Sequence, residues 1–338
     1  MFSDVIKSAL EQEVVGQARA VNSVVRGVTR LVSGLTPQER SHSAFMFMGP
    51  PGTGKTHLIE TLARVLHGKE KRLIVADCTH FVHGDPWTAF VGQLAPLFSA
   101  PWSSGNKWEV LEAPPLSIIR VEYLERGPQE VYKAMAAALE TGQVMLPEGR
   151  RGSLKNCLIF FTSGLCAREI LDEAPRIGFT GSQEGEEDTE QNRIYTLCLD
   201  KAKEHFGTDL VGRLDNLITF HRLEEEHLSD ILDRRVVRLN HWLEPRGFRC
   251  KLLPEAKSFL LGRGRRDLQL GARDLVRAHQ RFVEFPVADL MISGRIPQSG
   301  LVVADRKLGE EHLHFTISGQ PDDPTASKPL VREVPVGV

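Results

Sequence analysis

The chain has 338 residues, 44 acidic and 42 basic, with a formal net charge of −2, so it carries no overall basic field to recruit nucleic acid or anionic membrane. That length accommodates two domains with ample core. The five cysteines form no C-x-x-C pair, which points to reduced core thiols in a cytosolic protein; no signal peptide opens the chain and no apolar run approaches the ~20 residues of a membrane span.

Residues 5–32 read as helix, broken around Val14-Val15-Gly16-Gln17. A polar linker, 33–43, leads into the apolar run Ala44-Phe45-Met46-Phe47-Met48, which reads as a buried strand. Next comes Gly49-Pro50-Pro51-Gly52-Thr53-Gly54-Lys55-Thr56, matching G-x-x-x-x-G-K-[ST] at every fixed position. A helical pattern follows over 57–67, with Leu58, Leu62 and Leu66 on one face. Glycines let backbone N–H groups curl around a phosphate chain, and the helix N-terminus adds positive potential. Lys55 then reaches the β- and γ-phosphates and the Thr56 hydroxyl ligates Mg²⁺. These residues imply binding of a nucleoside triphosphate.

A second strand is expected over 72–76, ending at Asp77. Residues 82–115 are rich in Gly, Pro, Ser and aromatics, and only a short helix can be placed there. A third strand spans 116–121, and Pro128 opens a helix to about Glu140, its missing N–H costing nothing in the first turn. A fourth strand covers 156–162 and a short fifth 217–220. The acidic run from Gln183 to Glu190 reads as a solvated loop. Strands alternating with helices predict an α/β domain with a mostly parallel sheet flanked by helices, and phosphates at the strand C-termini.

Beyond Leu223 the pattern changes to helices over 224–243, 254–261 and 272–292, with short strands near 248–251, 301–304 and 312–317. The expected organisation is a large nucleotide-binding domain (1–222), a small, mostly helical α+β lid domain (223–319) and a flexible tail with four prolines (320–338). No separate N-terminal domain is expected.

With these segments in order, the chain resembles the Clp-type AAA+ ATPases, specifically the C-terminal ATPase module of ClpB, ClpA and ClpC, over about residues 10–318. Val14-Val15-Gly16-Gln17 resembles the family's opening box, which packs against adenine. Asp77 and Phe81 resemble the segment after its second strand. His205-Phe206 and Gly212-Arg213-Leu214-Asp215-Asn216 resemble the arginine-finger segment, and Gly271-Ala272-Arg273-Asp274-Leu275 the sensor-2 segment. The resemblance implies an ATPase using ATP and Mg²⁺. It assigns nucleotide contacts to Val14, Val15, Pro51, Gly52, Thr53, Gly54, Lys55, Thr56, Ile231 and Arg273, the metal to Thr56, and catalysis to Glu122, Arg213 and Arg273. Arg273 would act in cis from the small domain. Arg213 would act in trans on a neighbour's γ-phosphate, so that activity requires a homo-oligomeric ring, a hexamer by this resemblance.

Two positions depart from the family. The third strand should end in Asp-Glu and here reads Val121-Glu122, a register set by Pro128 six residues after the glutamate. Glu122 thus keeps the place of the residue that polarises water, while the Asp that holds the Mg²⁺ water shell is replaced by Val121. Arg120 also stands where an apolar residue is usual. The fourth strand ends Thr162-Ser163-Gly164 in place of Thr-Ser-Asn, removing the sensor-1 amide. Nucleotide binding is expected to survive and hydrolysis to be slow; Glu125, one turn on, is expected to point elsewhere. In the region where relatives place a pore loop, Phe98 and Trp102 are the candidate aromatics. Ile177-Gly178-Phe179 lies where peptidase-coupled relatives carry their docking loop for the Clp peptidase.

The resemblance implies a remodeller or unfoldase of protein clients. Two alternatives stand beside it: a nucleotide-gated assembly scaffold with degenerate hydrolysis, and a DNA-associated regulator. The charge balance speaks against the last, with the cluster Arg263, Arg265, Arg266 as its only support.

Overall fold

The computed structural model describes residues 2–34, 42–68, 72–79, 85–98, 110–112, 116–146, 149–172, 184–265, 270–293, 300–307 and 309–318. The chain divides after Arg222 into two compact units. In unit 1, helices α1 (Phe2–Glu11) and α2 (Ala18–Val32) precede strand β1 (Ser43–Met48), helix α3 (Lys55–His67), strand β2 (Leu73–Asp77) and helix α4 (Pro86–Phe98). Then come β3 (Val110–Glu112), β4 (Ile118–Glu122), α5 (Gln129–Thr141), β5 (Gln143–Met145), β6 (Arg151–Ser153) and β7 (Leu158–Ser163). Helices α6 (Ala167–Asp172), α7 (Glu184–Phe206) and α8 (Thr208–Val211) lead to β8 (Asn216–Thr219).

Five strands form a parallel sheet in the order β2-β4-β7-β1-β8. Strands β1 and β7 are buried at every position, which is why they read as continuous apolar runs and not as alternating ones. Alternate side chains feed two separate cores. On one face Phe45, Phe47, Phe160 and Ile118 pack with Leu58 and Leu62 of α3; on the other, Met46, Met48, Phe161 and Val121 pack against residues of α4, α5 and α7. Phe45 and Phe160 stack at 5.1 Å across the central pair. Because all five strands run the same way, their carboxyl ends share one edge, and the 49–56 loop leaves from that edge.

Three expectations need correction. Residues 86–98 form a 13-residue helix, whose apolar positions Phe90, Val91, Leu94, Leu97 and Phe98 keep helical spacing despite Pro96 near its end. Phe98 is buried within the core, its ring against Gly152, so it is a packing residue and not a pore aromatic. The acidic run is not a loop: from Glu184 on it is helical, as part of α7. A small sheet, β3-β6-β5, was not anticipated. Phe81, Trp102, the 177–179 tripeptide, Arg266 and the tail lie outside the described residues.

Unit 2 comprises α9 (Glu225–Leu243), β9 (Phe248–Leu252), α10 (Pro254–Gly264), α11 (Ala272–His279), α12 (Phe285–Ile292), β10 (Gly300–Asp305) and β11 (His314–Ser318). Its sheet has the order β11-β10-β9, parallel between β9 and β10 and antiparallel between β10 and β11. A π turn, Gln280–Glu284, joins α11 to α12. The cause lies at Pro286: with no N–H and a ring that crowds the carbonyl four residues back, it disfavours a regular α-helical turn there. All five cysteines are free and buried, and burial pushes the Cys157 and Cys250 thiols up to about 12. Among the described residues no helix is long and apolar enough to cross a membrane.

Candidate nucleotide-binding site

The 49–56 loop is shaped by glycines in conformations other residues rarely adopt. Gly49, Gly52 and Gly54 have φ of 139°, 73° and 105°. A side chain at Gly49 would also collide, since its Cβ would lie 2.5 Å from the Phe220 carbonyl oxygen. Thr53 is buried and its hydroxyl donates to the Pro50 carbonyl at 2.8 Å, so it braces the loop from within. Gly54 is the N-cap of α3 and offers no side chain to the first-turn amides; no acidic residue stands in that turn to cancel the positive helix end. Lys55 Nζ donates to the carbonyls of Gly49 and Pro50 at 2.6 and 2.7 Å, which places its charge at the mouth of the loop. An anionic phosphate chain fits this cradle.

Residues 13–17 lie beside it. The His57 ring of α3 sits 3.2 Å from the Glu13 carbonyl oxygen. Gln17, nearly fully buried, donates to the His221 carbonyl at 2.9 Å and accepts the His221 N–H at 3.3 Å. Phe220 N–H in turn donates to Met48 O, at the start of the phosphate loop. Val14 packs in the core shared by α1, α2 and α3, and Val15 is buried next to it. The His221 imidazole is held below its ordinary pKa, first by burial and then by the Arg19 charge, so it stays neutral at neutral pH.

Two further candidate positions, Glu122 and Gly164, sit at the same sheet edge. Met48 pairs with Ser163, which sets Gly164 level with Gly49 on the neighbouring strand. Val121 pairs with Phe161, so Glu122 ends the strand beyond. Val121 is fully buried in the core and offers no oxygen to a metal; of the ligand set expected for Mg²⁺, the Thr56 hydroxyl is what this chain retains. Glu122 is not isolated. Arg120 Nε lies 3.2 Å from its Oε1, a charge contact out of hydrogen-bond alignment, while Arg120 Nη1 donates to Glu60 of α3 at 2.9 Å. Tyr123 then takes a left-handed backbone, φ 52°, turning the chain into a 3₁₀ turn, Leu124–Arg126. That turn brings the Glu125 side chain back: its Oε1 accepts the Gly164 N–H at 3.1 Å, contrary to the expectation that it points elsewhere. Cys78 faces the same carboxylate; burial, then the Asp77 and Glu125 charges, push its thiol up to about 12.

Two family models match the chain. Residues 40–217 fit the AAA domain (Cdc48 subfamily), and residues 223–304 fit the C-terminal, D2-small domain of ClpB protein. The chain belongs to the Clp-type AAA+ family. Among relatives, the ATP-dependent Clp protease ATP-binding subunit ClpC of Staphylococcus epidermidis is 29% identical over 289 residues, covering 86% of this chain and 35% of its own length. ClpC of Staphylococcus aureus is 29% identical over 300 residues, covering 89% and 36%. Among solved structures, the S. cerevisiae Hsp104–ADP complex superposes with a TM-score of 0.75 at 23% identity, covering 92% of this chain and 52% of that one. A closed-state reconstruction of Hsp104 with ATPγS and FITC casein gives 0.70 at 23% identity, covering 93% and 51%. The chain thus spans about a third of the length of these ClpC relatives and half of these Hsp104 chains.

Within this Clp-type module, Arg213 lies at the opposite sheet edge from the phosphate loop. It stands two residues after α8 and two before Asp215, which exchanges backbone and side-chain hydrogen bonds with Ala44 at the start of β1. Its guanidinium donates to Glu140 Oε2 and to the Asp209 carbonyl, both at 2.7 Å. In unit 2, Ile231 is half-buried against the core and Arg273 is exposed in the first turn of α11. Arg263 lies over the Phe259 and Phe282 rings and pairs with Glu311, and Arg265 pairs with Glu225, so neither offers an uncommitted cation to DNA. Glu60 and His221 escaped the reading of the sequence, and Glu125 was read there as pointing elsewhere. The charge of Arg120 within an apolar strand was the one signal that a partner such as Glu60 had to exist.

Proposed function

We propose that this Clp-type module binds ATP in the 49–56 loop, hydrolyses it slowly, and uses the cycle to remodel protein clients as a homo-oligomeric ring, by family likeness a hexamer, in the cytoplasm. The observation that carries the reading is the phosphate cradle: three left-handed glycines and an uncapped 13-residue helix with Lys55 at its start. Lys55 and Thr56 would hold the triphosphate and its Mg²⁺, with Val14, Val15 and Ile231 contacting the base. Mg²⁺, when bound, supplies charge neutralisation of the β- and γ-phosphate oxygens. Glu122 would orient and polarise water, and Arg273 would sense the γ-phosphate. The loss of oxygen at Val121 and of the amide at Gly164 supports slow turnover. Calorimetry should show ATP binding to the wild type and none to Lys55→Ala, and Glu122→Gln should abolish the remaining turnover. Equal ATP affinity in wild type and Lys55→Ala would sink the proposal.

The Arg120–Glu122 contact favours a second reading, a nucleotide-gated scaffold. ATP-driven assembly with no turnover above that of Glu122→Gln would establish it. FITC casein, present in one Hsp104 structure, is a suitable client probe. The name of the ClpC relatives supports a peptidase partner at Ile177-Gly178-Phe179. Replacing Ile177 and Phe179 with Ser should then weaken capture of a Clp-type peptidase without changing ATP affinity.

A further inference from the structure

We propose that Glu310, His312 and His314 in unit 2 form a binding site for a zinc-class divalent transition ion. Their ligand atoms all lie within 4.8 Å of one another, the only such convergence of three among the described residues. The arrangement follows from strand geometry. Leu313, Phe315 and Ile317 are buried in the unit 2 core, and the positions between them, His312 just before β11 and His314 at its start, lie nearer the surface, with side chains 42% and 14% exposed. Both imidazoles turn their Nε2 toward one oxygen, Oε2 of Glu310; the His312 contact is 3.0 Å and the His314 contact closer still. The ring centroids are 5.0 Å apart with the planes tilted by 51°, so the two rings are not stacked on each other.

The surrounding turn fixes the carboxylate. Asp305 pairs with His314 across the β10–β11 ladder, and the intervening turn is closed by Glu310 N–H to the Lys307 carbonyl at 3.2 Å. Arg306 Nε donates to the Glu310 backbone carbonyl at 3.1 Å and its guanidinium lies over the Phe259 ring at 4.7 Å, so this side chain braces the turn. Two imidazoles and one carboxylate suit Zn²⁺, with water as fourth ligand, and not the all-oxygen preference of Mg²⁺ or Ca²⁺. His312 and Glu310 are each about a third or more exposed, so an ion has a path in from solvent.

The test uses the full chain, untagged and stripped with a chelator. Titrated with Zn²⁺ against a chromophoric competitor, the wild type should bind one ion per chain at this site. His312→Asn and His314→Asn should each weaken that binding roughly tenfold or more, while His241→Asn, on α9, should not. Each substitution also removes a charge contact to Glu310, so each variant is compared with its own chelator-treated form: Zn²⁺ should raise the melting temperature of the wild type and leave that of the variants unchanged. As a gain-of-signal variant, His312→Cys loaded with Co²⁺ should show a thiolate charge-transfer band. No stoichiometric Zn²⁺ binding, binding unchanged by both histidine substitutions, or no thiolate band in the cobalt-loaded cysteine variant would overturn the proposal.

Discussion

A carboxylate that polarises water must offer it a lone pair, and in this chain the carboxylate of Glu122 shares its Oε1 with a guanidinium. Arg120 is about nine-tenths buried and contacts both Glu122 and Glu60. A contact of about 1 kcal/mol corresponds to roughly fivefold in rate. Arg120→Met keeps the length of the side chain and removes its charge, so it should raise ATP turnover severalfold with ATP affinity unchanged. A steady-state assay decides the matter: a fall toward the Glu122→Gln rate would mean that Arg120 positions the glutamate instead. Lys55 and Thr56 were legible in the sequence because their motif is contiguous and its backbone demands are specific. The Glu60 contact was not, because Glu60 and Arg120 stand 60 residues apart and meet only when α3 lies over β4.

Elements decide whether the missing sensor-1 amide can simply be restored. The 3₁₀ turn after β4 folds Glu125 onto the tip of β7, where it caps the Gly164 N–H. A Cβ at Gly164 would sit 3.2 Å from Glu125 Oε1, closer than ordinary contact, and the other carboxylate oxygen is already buried without a hydrogen bond. Gly164→Asn alone should therefore cost about 1–3 kcal/mol and fail to raise turnover. Paired with Glu125→Ala, much of that cost should disappear. Denaturant titrations of the two single variants and the double variant measure the coupling; strictly additive effects would show that the two positions act independently. Strand-level reading succeeded for β1, β4 and β7, whose apolar runs between turn residues have few alternatives. It placed a helix in 82–115 without the extent of α4 and took the start of α7 for a loop, since Gly, Pro and Ser around the first and acidic residues at the start of the second imitate loops.

At the scale of the molecule, parallel strands separate the phosphate loop from Arg213, the proposed arginine finger. The loop leaves the carboxyl end of β1, whereas Arg213 lies beside Asp215, which is bonded to Ala44 at the amino end of the same strand. The length of strand between them is about 15 Å, too far for Arg213 to reach a γ-phosphate in its own loop. A catalytic role for it therefore requires a second chain, and the bonds to Glu140 and Asp209 are what it would exchange for a neighbour's nucleotide. A finger in trans contributes ~10³–10⁵ in rate, so Arg213→Ala should abolish most turnover and leave ATP affinity unchanged. Mixing makes the test specific. Lys55→Ala subunits keep the finger but lack a nucleotide site, and Arg213→Ala subunits keep the site but lack the finger. Each alone should be nearly inactive, and a mixture should regain activity as the two are titrated together, because some interfaces then join an intact finger to an intact loop. Turnover that is independent of protein concentration, unaffected by Arg213→Ala and not restored by mixing would mean that the arginine is a structural partner of Glu140 and that the site works within one chain.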